Sequence, residues 1–172
     1  VRRVPITQPN DASALTLQTL AIYEQTPPDA TLPDDLTQRD IAFGTAERDP
    51  LLLRAYEVPQ QVSVGETATL RFYWQATGNI QRDYNLFIHV MDAENQLAAQ
   101  GDSAPVPHLP TSNWQPGQLI SSALPVTMPD APGVYTLYIG LIDVLTGERL
   151  VVDAPDYRLR LSDVMVSDES HN

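Results

Sequence analysis

The chain contains no cysteine and no lysine. Without cysteine there is no disulfide, no thiolate nucleophile, no iron–sulfur cluster and no Cys-ligated zinc, and the redox compartment stays open. Without lysine there is no phosphate-loop lysine, no Schiff-base chemistry and no lysine general base. Glycine is sparse, eight against fifteen prolines, a balance that argues against a helical protein and for turns and extended segments. Basic residues are few as well: ten, all arginine, face 22 acidic residues for a formal charge of −12. That field repels polyanions, so a nucleic-acid partner is excluded and an anionic membrane surface is disfavoured. No apolar run approaches the roughly 20 residues that span a bilayer.

What is present is 172 residues, 42% hydrophobic and 19% charged, the size and mixture of one globular domain with an extension. The sequence starts Val1-Arg2-Arg3, with neither an initiator Met nor an apolar signal core, and so reads as a fragment or processed product whose anchor, if any, lies elsewhere. Residues 1–40 read as a Pro-rich arm or linker, punctuated by Pro5, Pro9, Pro27, Pro28 and Pro33. Within it, residues 14–24 (ALTLQTLAIYE) fit neither a period of 2 nor of 3.6, which leaves helix or docked strand open. Residues 168–172 form a short tail.

Residues 41–167 are regular. In 67–76 (TATLRFYWQA), Ala68, Leu70, Phe72, Trp74 and Ala76 share one face, and Thr67, Thr69, Arg71, Tyr73 and Gln75 the other, the pattern of a half-buried strand. Stretches 51–58, 84–92, 119–128, 133–143 and 157–166 read likewise. In the last, Leu159 and Leu161 are out of phase with Val164 and Val166, which predicts a β-bulge near Ser162 or Asp163. Turn signals such as Pro116-Gly117, Pro132-Gly133 and Thr146-Gly147-Glu148 separate the strands. The expectation is an all-β chain, an antiparallel β-sandwich of immunoglobulin-like or jelly-roll-like type carrying an N-terminal arm.

Catalytic signals are missing. No Ser stands in a G-x-S-x-G elbow and no H-E-x-x-H occurs. His89 sits in a strand and reads as packing; His108, near Asp102, Ser103 and Ser112, makes a triad only on paper, because triads are recognised by geometry. A carboxylate pair at glycosidase spacing is inevitable among 22 acids and carries no weight. Asp29, Asp34, Asp35, Asp102, Asp153 and Asp156 are oxygen donors suited to Ca²⁺, but no EF-hand-type loop is present and they read as solvated charge. We therefore expect no enzyme activity, no metal and no cofactor in this chain.

Ligand-binding candidates are aromatic, since sugars present C–H faces that pack on Trp and Tyr rings. Trp74 alternates with Leu70 and Phe72 and reads as core. Trp114 lies in the loop Pro110-Thr111-Ser112-Asn113-Trp114-Gln115-Pro116-Gly117, and two readings stay open: a ring capping the end of the sandwich, or a ligand platform with Asn113 beside it. Tyr73, Tyr135 and Tyr138 are further candidates, depending on which strand faces are wet.

Five segments carry a resemblance: LRFYWQA (70–76), DYNLFIHVMD (83–92), PTSNWQPGQLI (110–120), MPDAPGVYTLYIGLID (128–143) and TGERL (146–150). In order and spacing, residues 42–166 resemble the extracytoplasmic C-terminal β-sandwich domain of bacterial membrane glycosyltransferases of the dolichyl-phosphate-mannose-protein mannosyltransferase type, frequent in Chloroflexi-like bacteria. The resemblance implies no catalytic residues, because the chemistry of such transferases lies in their membrane part. It implies an extracytoplasmic location, in the cell envelope or secreted; the resemblance together with the loop Trp114 gives the expectation of a non-catalytic accessory domain that binds or positions glycan. The alternative is a structural or protein-interaction module of the envelope, with a membrane reached only through a parent protein.

Overall fold

The computed structural model describes residues 32–34, 36, 38–45 and 48–168. Segment 14–24, most of the arm, and residues 169–172 of the tail lie outside the described residues. Nine strands are found among the described residues: β1 (Ile41–Thr45), β2 (Arg48–Glu57), β3 (Gln61–Ser63), β4 (Thr67–Ala76), β5 (Tyr84–Met91), β6 (Leu97–Ser103), β7 (Leu119–Thr127), β8 (Gly133–Asp143) and β9 (Leu159–Ser167). They form two sheets, ordered β1-β2-β4-β7 and β3-β9-β8-β5-β6. All neighbours are antiparallel except the three-residue pairing of β3 with β9. After β2 the chain passes through Val58-Pro59-Gln60 and changes sheets. A strand that begins in one sheet and ends beside the last strand of the other gives the immunoglobulin-like alternative rather than the jelly roll.

The two sheets are held together by the inward phase of each strand. Leu70, Phe72, Trp74 and Ala76 of β4 are fully buried, facing Leu86, Ile88 and Val90 of β5 and Leu137, Ile139 and Leu141 of β8 across the core. Trp74 sits with Phe43 edge-on at 5.5 Å between ring centroids and Phe72 at 6.1 Å. The β9 bulge is real and lies one residue earlier than the sequence phase suggests: Leu137 pairs with Ser162 and Tyr138 with Arg160, leaving Leu161 as the extra residue. That insertion lets Leu161, Val164 and Val166 all face inward despite their broken alternation. Strands β1, β3 and β6 carry too little alternation to be read in advance. The residues of β6 are mostly exposed, and it exists because β5 offers it an edge.

One end of the sandwich closes over buried charge. Asp49, 3% exposed, accepts hydrogen bonds from the backbone N–H of Gln81 (2.6 Å) and from the Tyr84 hydroxyl (2.7 Å). Burial and that bond push the Tyr84 hydroxyl well above the usual phenol range. Asp143, 2% exposed, accepts from Arg82 at 2.6 Å and from the backbone N–H groups of Leu145 (2.8 Å) and Thr146 (3.1 Å). The Arg82 bond outweighs desolvation and holds the Asp143 carboxyl down at about 2.

A carboxyl whose folded pKa lies below its ordinary value near 4 stabilises the fold above that value and loses the effect as pH falls toward 2. Urea denaturation should therefore show Asp143→Asn about 1–2 kcal/mol less stable than wild type at pH 7, with the gap closing between pH 4 and 2; a gap independent of pH would contradict the assignment. On the outer face of the five-stranded sheet, a Cβ at Gly140 would collide with the Phe87 ring and meet the Tyr157 carbonyl oxygen at 2.8 Å. Gly140→Ala should cost about 2 kcal/mol through overpacking and lower Tm by about 4–8 °C in a calorimetric scan.

Candidate ligand-binding face

Because Leu70, Phe72 and Trp74 point inward, Arg71, Tyr73 and Gln75 must point outward from β4, the inner strand between β2 and β7. Across the sheet, Arg71 stands between Glu57 of β2 and Ala123 of β7, and Tyr73 between Ala55 and Ser121. A register shift in β2 between Leu53 and Ala55 marks Arg54 as an inserted residue. Its guanidinium donates to the Gln75 amide oxygen and the Asp40 carboxylate, while the Gln75 nitrogen donates to the Gly117 carbonyl at 2.9 Å. The Tyr73 hydroxyl donates to Glu57 Oε1 at 2.7 Å. Arg54, Gln75, Tyr73 and Glu57 are thus held in polar contacts on the outer face, with Arg71 standing among them.

That face is concave in two adjoining places along β4. One depression, about 250 Å³, has Arg71, Tyr73, Ser121 and Ala123 as its floor and the loop residues Val106 and Pro107 as its wall. The second, about 390 Å³, lies over Arg54, Gln75 and Leu119 and is bordered by Leu32, Pro33 and Leu36. The second is near the lower end of the size range of small-molecule sites, roughly 300–1,000 Å³, and the first falls just below it.

The candidates singled out from the sequence are not brought together. Of the five, Tyr73 alone lines one of these depressions. Trp114 is 2% exposed and belongs to the core; its indole N–H donates to the Leu109 carbonyl at 3.3 Å. The capping reading therefore holds, and no ring face is left for a ligand platform. Its loop serves the same closure: the Thr111 hydroxyl donates to the Arg82 carbonyl (2.8 Å) and accepts the Tyr84 N–H (2.9 Å). Asn113 is exposed in the 3-10 turn Thr111–Asn113 and lines neither depression.

Tyr135 also moves from ligand candidate to structure. Its ring is 7% exposed on the inward phase of β8, and its hydroxyl donates to the Ala131 carbonyl, four residues upstream, at 3.0 Å. This is the tyrosine corner of immunoglobulin-type sandwiches. Tyr138 faces outward on the opposite sheet, where Arg158 covers its ring at 5.2 Å. Beside it His89 packs on Phe87 at 4.8 Å, and burial with Arg158 and Arg149 nearby lowers the His89 pKa, against a smaller opposing pull from Asp102. These are packing contacts, as read for His89 from its strand phase. His108 is exposed at a left-handed backbone position (φ +66°) and belongs to no hydrogen-bonded array with Asp102, Ser103 or Ser112 among the described residues. No cluster of three or more His, Asp or Glu is placed to hold a metal ion among the described residues.

Arg54, Arg71, Gln75 and Ser121 were not singled out from the sequence as site residues. Their outward phase was legible, yet nothing in a strand pattern tells which outer face the loops will wall in.

No protein-family model matches the sequence, and no curated protein matches it by sequence. Solved structures do match by shape. The C-terminal domain of Wzt superimposes with a TM-score of 0.53 at 9% identity, over 87% of this chain and 86% of that one. The CARDB domain of a Pyrococcus furiosus protein in complex with di-metal ions gives 0.42 at 13% identity, over 77% and 100%. A Listeria innocua β-glucosidase in complex with isofagomine gives 0.42 at 14% identity, over 69% of this chain and 16% of that enzyme. At these identities the likeness is one of fold, and the fold is a β-sandwich domain.

Proposed function

We propose that this chain is a non-catalytic module that binds or positions carbohydrate, working as an extracytoplasmic accessory domain of a membrane-bound glycosyltransferase. The observation that carries the reading is the concave, polar outer face of the four-stranded sheet, with Tyr73 beside Arg71, Ser121 and the Arg54–Gln75 pair. Saccharides are bound by planar polar side chains that address hydroxyl groups, together with an aromatic ring against a C–H face. Both kinds of group stand here on strands rather than loops, and the Tyr73–Glu57 and Arg54–Gln75 hydrogen bonds hold those side chains in place before a ligand arrives, which lowers the entropy cost of binding. The glycosyltransferase context comes from the resemblance of the quoted segments. The lack of lysine and cysteine and of any catalytic motif supports a binding role over turnover.

Isothermal titration with a panel of neutral and acidic envelope-type oligosaccharides tests this reading. Wild type should bind at least one of them at micromolar to millimolar Kd, and Ser121→Trp, which fills the first depression from an exposed position, should weaken that binding at least tenfold, about 1.4 kcal/mol. Tyr138→Ala, on the opposite sheet, should leave it unchanged. No binding to any saccharide, or binding untouched by Ser121→Trp, would remove the proposal.

A further inference from the structure

Eight of the ten arginines fall among the described residues, and in a chain of charge −12 their guanidinium groups have abundant partners. Arg48, Arg54, Arg82, Arg158 and Arg160 each pair with a carboxylate. Arg39 lies over Tyr56 at 5.5 Å; Arg149 lies over Phe87 at 4.9 Å and donates to the Asp156 carbonyl at 2.9 Å. Arg71 is the exception. It is exposed, lines the 250 Å³ depression, and has no ion pair, hydrogen bond or ring contact among the described residues. Its cross-strand neighbour Glu57 is taken up by the Tyr73 hydroxyl instead.

We infer that Arg71 determines the specificity of this groove and that the saccharide it selects carries a carboxylate, as a uronic acid does. The inference rests on the carbohydrate-binding reading above and narrows it. A guanidinium presents two parallel N–H donors that match the two oxygens of a carboxylate, a geometry that neither a hydroxyl nor a lysine ammonium reproduces. Residues i and i+2 of a strand stand about 7 Å apart on one face, so a pyranose ring laid against Tyr73 puts its carboxyl substituent within reach of Arg71. The sheet edge adds a hydroxyl from Ser121 on the same floor.

The net charge sharpens the argument. At long range a −12 protein repels an anion, so non-specific electrostatics favour the neutral member of any pair of sugars. A preference for the acid must therefore arise from a local pairing. The same repulsion limits the ligand to isolated carboxylates among neutral sugars, in place of a continuous polyuronate.

The test is a glycan array printed in matched pairs, each uronate-containing oligosaccharide beside its carboxyl-reduced neutral counterpart, with titration of the best pair. Wild type should bind the uronate member at least tenfold more tightly than the reduced one. Arg71→Ala should lose that ratio while keeping the weaker binding of the neutral member, and Arg71→Lys should retain only a small part of it. Arg71 is exposed, so thermal unfolding of both variants should match wild type. Equal or tighter binding of the neutral members, or an unchanged ratio in Arg71→Ala, would overturn this inference and leave the carbohydrate-binding reading standing. Binding of neither member by wild type would overturn both.

Discussion

The two-residue alternation of β4 is the constraint on which the rest of the molecule depends. Its even positions from Ala68 to Ala76 are sealed between the sheets, with Trp74 gripped by Phe43 and Phe72. A slip of one residue in the pairing with β7 would carry Trp74 into water and Arg71 into the core, so the register is fixed by the hydrophobic effect. Once it is fixed, Arg71, Tyr73 and Gln75 have no freedom over which side of the sheet they occupy. The candidate ligand face is thus a by-product of core packing: the apolar residues that make the strand fold also aim the polar ones.

The fold also takes up three of the four aromatic ligand candidates, Trp114, Tyr135 and Tyr138, and other rings besides. Trp114 closes the end of the sandwich with its ring buried, Tyr135 bonds back to its own chain as a tyrosine corner, and Tyr84 anchors Asp49. Phe87 and Tyr138 lie under Arg149 and Arg158 on the outer face of the five-stranded sheet. The loop 110–117, the most motif-like stretch of the sequence, therefore serves closure, with Thr111 bridging Arg82 and Tyr84 beneath it. A motif-like stretch does not say whether packing or recognition imposed it.

Much of the architecture was legible from residue order, for stated reasons. Strands β4 and β8 were read to their end residues and β2, β5, β7 and β9 to within a few, because each alternates apolar and polar residues or carries a continuous apolar run. The β9 bulge was visible as a phase error. Strands β1, β3 and β6 were not visible: β3 is three residues long and β6 is mostly exposed, so neither leaves a hydrophobic period. The site was legible by half. The outward phase of Tyr73 could be read, but concavity comes from Val106 and Pro107 of one loop and from Leu32, Pro33, Asp34, Leu36 and Gln38 lying beside the sheet, a tertiary outcome with no local signature. The two readings of Trp114 stayed open for the same reason: a ring in a loop shows no periodicity, and only the folded turn shows that it is buried.

The central claim is that recognition takes place on the outer face of the four-stranded sheet and not at the end of the sandwich where Trp114 lies. Backbone amide and indole NMR shifts recorded during titration with a bound saccharide locate the site directly. The account predicts shifts concentrated at residues 71–75, 121–123 and 106, with the Trp114 indole N–H and the amides of β8 and β9 unmoved. Shifts centred on residues 111–117, or on the face carrying Tyr138 and Arg158, would contradict it.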